Sequence, residues 1–172
     1  MNFKDLVEQR QSCRNFDEGK IPKDEDIQKI IKWSHLAPSA CNAQPYKITI
    51  AKGELAKEIS KARSLQMNAF IEKAPVFFII EEGAYNLTSR VGSSLKDQDY
   101  RSIDIGILTA HICFSATELG LSTCILGMYD ERKIQELLGT KERIRLIIAL
   151  GYEKGDIRQK KRKDLSKVWI ER

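Results

Sequence analysis

The order of apolar runs predicts an α+β or α/β domain, with one sheet and helices on both of its faces. Three observations carry that prediction. Residues 74–80 and 143–151 hold solid apolar runs with a β-branched and aromatic bias, the pattern of strands buried on both faces. Residues 103–119 form a helix that is apolar nearly all round, which marks a core helix or a membrane span. Asp104, His111 and Glu118 interrupt it at a cost lipid would not tolerate, so it belongs to the core. Gly120 then supplies the left-handed residue expected past a helix end, and residues 122–126 read as a short strand.

The remaining elements follow in order. Asn2 can cap a first helix over residues 2–10, with Phe3, Leu6 and Val7 inward. Pro22 and Asp24 open a second, running through Ile27, Ile30 and Ile31 to Leu36. Residues 47–51 alternate as a strand. Residues 54–63 and 65–72 read as helical. The polar stretch 81–100 is expected to be a mobile excursion that covers a ligand. Asp130 caps a helix through Ile134, Leu137 and Leu138. The basic tail 152–172 ends in Leu165, Val168, Trp169 and Ile170; too few neighbours remain to bury these, so the tail should wrap a partner subunit.

A chain of 172 residues suffices for one domain with a real core. The net charge of +5 suits an anionic partner, and the excess is concentrated in residues 158–163. No recognition motif accompanies that charge, so neither nucleic acid nor a membrane is expected as a partner. Four cysteines without a C-x-x-C pair, and only two histidines, predict no metal site. Residues 1–5 read as a helix opening rather than a signal peptide, and reduced thiols in a cytoplasmic protein are the plain expectation. Cys124 reads as a core residue, Cys41 as an exposed loop thiol, and His35 and His111 as structural. Neither G-x-G-x-x-G after a strand nor a Walker motif is present, which removes the usual dinucleotide and P-loop fingerprints.

Two stretches have chemistry worth following. Arg10, Ser12 and Arg14 alternate, so an extended backbone points two guanidiniums and a hydroxyl to one side, an arrangement suited to phosphate. A solvated basic turn would give the same string. Residues 37–46 place Pro38, Ser39, Ala40, Asn42 and Gln44 in a tight loop whose amides can hold the edge of a planar heterocycle. An ordinary helix-to-strand connection would also suffice.

Taken in order, these strings resemble the nitroreductase family of FMN-dependent oxidoreductases. The series is Arg10-x-Ser12-x-Arg14, Ala37-Pro38-Ser39-x-x-Asn42-x-Gln44-Pro45, Ala74-Pro75 entering a strand, residues 120–127 after the long helix, and Leu150-Gly151-Tyr152 followed by Lys160-x-Arg162. The resemblance spans nearly the whole chain. It implies an α+β fold with a central mixed sheet and helices on both faces, built as an intertwined homodimer. Residues 1–172 would form one FMN-binding domain, with 152–172 as an arm on the partner. Carried over, Arg10, Ser12, Lys160 and Arg162 would bind the FMN phosphate and ribityl chain, and Arg14 the pyrimidine edge. Pro38, Ser39, Ala40, Asn42 and Gln44 would reach the flavin held mainly by the other subunit. Asn68 is a further match toward the ring. Ile125, Leu126 and Gly127 would line it, with the Gly127 amide near N5. No catalytic side chain is expected. The implied reaction takes a hydride from NADH or NADPH onto flavin N5 and reduces nitroaromatics, quinones or similar small acceptors by a ping-pong mechanism. The alternative is an FMN-binding protein with another electron donor, or one that stores or senses flavin without turnover.

Overall fold

In the computed structural model, which describes residues 1–63, 68–84, 98–156, 158 and 160–172, four strands form one sheet in the order β1-β2-β4-β3. They are β1 (Tyr46–Lys52), β2 (Val76–Glu82), β3 (Ser122–Leu126) and β4 (Ile144–Gly151), and every neighbouring pair is antiparallel. The expected mixed sheet is therefore corrected. Its parallel element shrinks to one isolated bridge, Ser12 to Thr123, because the N-terminal segment joins the edge of β3 for a single residue.

Five α-helices are present among the described residues: α1 (Phe3–Gln9), α2 (Asp24–Ser34), α3 (Gly53–Lys61), α4 (Tyr100–Glu118) and α5 (Glu131–Leu138). Period-two alternation sends the two sides of the sheet into separate cores. Phe77, Ile79, Cys124, Leu126, Ile147 and Ala149 meet Ala56, Ile59 and Ile134 of α3 and α5. Val76, Phe78, Ile80, Ile148 and Leu150 meet Ile27 and Ile30 of α2 and Ile105, Leu108 and Ile112 of α4. The central strands β2 and β4 are buried on both faces, as their solid apolar runs require.

Helix ends follow side-chain chemistry. Asn2 accepts from the Asp5 amide, Asp99 from Ser102 and Asp130 from Lys133, each satisfying a first-turn donor. Gly120 turns α4 into β3 at φ +72. At Gly151 a Cβ would lie 2.9 Å from both Phe16 and Pro75, so glycine lets the N-terminal segment cross the end of β4.

Two further expectations change. Residues 69–73 form a 3-10 turn rather than the second half of an α-helix, while residues 64–67 lie outside the described residues. The polar stretch 81–100 contributes its ends to regular structure. Glu81 and Glu82 complete β2 because Thr49 donates to Glu81 (2.8 Å) and Arg145 to Glu82 (3.1 Å). Asp99 caps α4 and Tyr100 begins it, and residues 85–97 of that excursion lie outside the described residues. Among the described residues no helix is long and apolar enough to cross a membrane.

Candidate functional site

The segment after α1 is pinned to the edge of the sheet. Cys13 N–H donates to the Thr123 carbonyl at 2.8 Å, Asp17 N–H to Tyr152 at 2.8 Å, and Lys154 N–H to Asn15 at 2.8 Å. These bonds run the chain from Ser12 to Asp17 between β3 and the segment following β4. Residues about 150 positions apart in sequence thereby become neighbours, and a cleft of about 360 Å³ opens between them. Arg10, Gln11, Ser12, Arg14, Arg158, Lys160, Lys161 and Arg162 line it. Six of these eight side chains are cationic and none is a carboxylate.

Each wall is held by specific bonds. Arg158 donates its guanidinium to the Ser12 carbonyl at 2.9 Å and its amide to Gln11 Oε1 at 3.2 Å. Gln11 Nε2 donates to both carboxylate oxygens of Glu153, at 3.0 and 3.2 Å, which ties up the nearest acid on the flank of the cleft. Lys160 donates to the Val7 and Glu8 carbonyls at the C-terminal end of α1, where a cation complements the helix dipole. Burial, together with the Arg10 and Arg162 charges, holds the Lys160 ammonium below its ordinary pKa. Crowded cations of this kind gain most from a polyanion, because it relieves their mutual repulsion.

Ile125, Leu126 and Gly127 form a second surface. Ile125 and Gly127 are exposed, whereas the Leu126 side chain is buried in the α3/α5 core and offers only main chain here. A Cβ at Gly127 would meet no atom within 4 Å, which leaves room above the main chain. Asn68, at φ +64, donates its amide to the Met128 carbonyl at 3.3 Å, so it borders this surface.

Pro38, Ser39, Ala40, Asn42 and Gln44 stand elsewhere. Their loop folds on itself: Gln44 N–H donates to Ser39 Oγ at 3.0 Å, and Gln44 Nε2 to Asn42 Oδ1 at 3.0 Å. It sits against the start of α4, with Ala40 N–H donating to Asp104 Oδ1 at 2.9 Å. The cleft lies near the other half of the helix, where Cys113 senses the Arg10 charge. Nine residues of helix separate the two levels by about 14 Å at 1.5 Å per residue. One protomer thus brings together Arg10, Ser12, Arg14, Lys160 and Arg162, but does not bring the 38–44 loop to them.

A family model described as the nitroreductase family matches residues 7–69 and 62–152. The chain belongs to the nitroreductase family. A putative NADH dehydrogenase/NAD(P)H nitroreductase of Archaeoglobus fulgidus is 31% identical over 158 residues, 88% of this chain and 85% of that protein. The oxygen-insensitive NADPH nitroreductase of Helicobacter acinonychis is 25% identical over 198 residues, 93% of this chain and 91% of that protein. The crystal structure of a nitroreductase family protein from Clostridium difficile superposes with a TM-score of 0.82 at 25% identity, covering 99% of this chain and 98% of that one.

In this nitroreductase-family chain the three buried thiols are not poised as nucleophiles. Burial pushes the Cys13 thiol up to about 11, and it likewise raises Cys113 and Cys124. His111 is satisfied by the Ile107 carbonyl at 2.9 Å, and His35 closes α2. No group of three or more metal-ligating side chains occurs among the described residues. Three cleft residues escaped individual assignment from sequence. Arg158 and Lys161 had a signal, since both lie in the basic run 158–163. Gln11 had none, because its role depends on Glu153 lying opposite.

Proposed function

We propose that the protein is an FMN-dependent NAD(P)H oxidoreductase that reduces small acceptors such as nitroaromatics or quinones, donor and acceptor alternating at one pocket. The observation that carries the reading is the cleft of six cations and one hydroxyl, free of carboxylates, opening beside β3. The donor set fits a dianionic phosphate, and the open space over Gly127 fits a planar ring. Arg10, Ser12, Lys160 and Arg162 would hold the phosphate and ribityl chain, Arg14 the pyrimidine edge, and Ile125 and Gly127 one face of the ring. When bound, FMN supplies the centre that accepts a hydride from the nicotinamide donor and returns electrons to the acceptor. The chain itself would orient: Arg14 would place a fixed positive charge at the pyrimidine edge, and the Gly127 main chain would offer a donor that needs no titration.

The working unit in this reading is a homodimer. The outer stripe of α4 (Ile103, Ile107 and Phe114) remains partly open, and Phe3 packs on Phe114 with ring centroids 6.3 Å apart while staying exposed itself. Leu165, Val168, Trp169 and Ile170 of the tail are exposed as well. Pairing two copies would cover these surfaces and carry the 38–44 loop of one protomer toward the cleft of the other.

The purified protein should be yellow with a flavin absorbance band, and NADH or NADPH should bleach that band without oxygen. Bleaching only by another electron donor would overturn the nicotinamide half of the reading. A protein that takes up no flavin would overturn all of it.

A further inference from the structure

We propose that Asp104 is a positioning residue, whose buried carboxylate latches the 38–44 loop in the shape and place in which it meets the flavin ring. What the loop touches rests on the function proposed above, whereas the latch is a property of this chain alone.

The loop has an unusual backbone. Cys41, Asn42 and Gln44 lie at φ 51, 51 and 45, the left-handed region, although none is glycine. Asparagine tolerates that region, but cysteine and glutamine adopt it reluctantly. Such conformations persist where the surroundings over-determine them. Part of the determination is internal: Asn42 N–H donates to Ser39 and Ala43 N–H to Ala40, both at 3.0 Å, beside the Ser39 and Gln44 side-chain bonds. Those bonds contribute to the shape of the loop but do not fix its position on the protein.

Asp104 supplies position. It stands one turn into the 19-residue α4, is 2% exposed, and accepts from Ala40 N–H at 2.9 Å across 64 residues of chain. A bond to a carboxylate is stronger than one between neutral groups. The residue is also a costly choice for the fold. Its Oδ2 is buried without a hydrogen-bond partner, and so is the nearby Tyr46 hydroxyl. Burial, and then the Asp104 charge, raise the pKa of that phenol. A leucine here would extend the apolar stripe of Ile105, Leu108 and Ile112 without any of these penalties. A buried carboxylate that leaves one oxygen without a partner, yet grips the strained loop beside it, is explained by what the loop must hold still.

The test needs two readouts and three variants. Hydrogen–deuterium exchange over residues 38–44 in the flavin-free protein reads the latch, and FMN titration with the visible circular dichroism of the bound ring reads its consequence. Asp104→Ala should speed exchange of the Asn42 and Ala43 amides about tenfold or more. It should also weaken FMN by about tenfold and flatten the ring signal. Asp104→Asn retains an acceptor oxygen and should stay near wild type in both. Ala40→Pro removes the donor and leaves the carboxylate in place. Proline suits the opening of the 3-10 turn, and Ser39 before it is already extended at φ −143, ψ 157. This variant should repeat the loss and decides the matter if Asp104→Ala does not fold. Unchanged exchange in Asp104→Ala or Ala40→Pro would overturn the proposal, as would an Asp104→Asn protein that behaves like Asp104→Ala. Loss of loop protection in a protein that binds no FMN would keep the latch and remove the flavin reading.

Discussion

The cationic cleft and the 38–44 loop are built on opposite principles. The cleft gathers residues from the two ends of the chain by main-chain pairing at the edge of the sheet, and six of the eight side chains that line it are cationic. The loop is contiguous in sequence, small, strained, and tied to a helix by a buried carboxylate. Surplus charge favours affinity for an anion wherever that anion's oxygens fall, whereas a strained loop favours one orientation. The difference teaches a division of labour: the phosphate end of the flavin should dominate binding, and the ring end should dominate rate.

Removing charge should break the comparison on the binding side. Arg10→Ala combined with Arg162→Ala should weaken FMN on the order of a thousandfold, since each hydrogen bond to a charged group is worth about 1.5–3 kcal/mol. Fluorescence-quench titration measures it, and the residual kcat at saturating FMN should change little. Gly127→Leu attacks the other side by filling the open space above Gly127, where the ring is proposed to lie. Steady-state kinetics at saturating FMN should show kcat/KM falling roughly a hundredfold, because small misplacements of reacting groups cost that much. FMN affinity should fall far less.

How much of this was legible in sequence follows the same line. The interior strands and α4 were legible because solid apolar runs admit few other fates, and β3 begins and ends where Gly120 and the apolar alternation placed it. Strand direction was not, since connections of this length allow parallel or antiparallel pairing; the expected mixed sheet is antiparallel. The ends of β2 and α4 were missed because Glu81, Glu82 and Asp99 look like loop residues until Thr49, Arg145 and Ser102 meet them. In the site, residue types such as Arg10 and Lys160 announced an anion. Their convergence depends on contacts about 150 positions apart, which no local pattern contains. Asp104 appeared in the sequence only as an interruption of an apolar run.

Two smaller effects sharpen the contrast. Raising ionic strength from 0.05 to 0.5 M should weaken FMN severalfold, because exposed charges are screened within a few ångströms at high salt. The kcat at saturating FMN should stay level. The smallest expected effect concerns the thiol beneath the cleft. Cys13 is protonated in the fold up to about pH 11, against an ordinary value of 9.0. Between those values the folded state binds the proton more firmly than the unfolded chain. Stability supplied below pH 9 is therefore lost as pH rises toward 11. Urea midpoints measured at intervals from pH 8 to 10.5 should fall, and Cys13→Ala should flatten that fall.

Calorimetric titration of the flavin-free protein with FMN and, separately, with riboflavin tests the division most directly, because the two ligands differ only in the phosphate. FMN should bind one per chain and at least about a hundredfold more tightly than riboflavin, the worth of two charge-assisted contacts. Equal affinities, or heat from neither ligand, would contradict a phosphate held in the Arg10–Arg162 cleft.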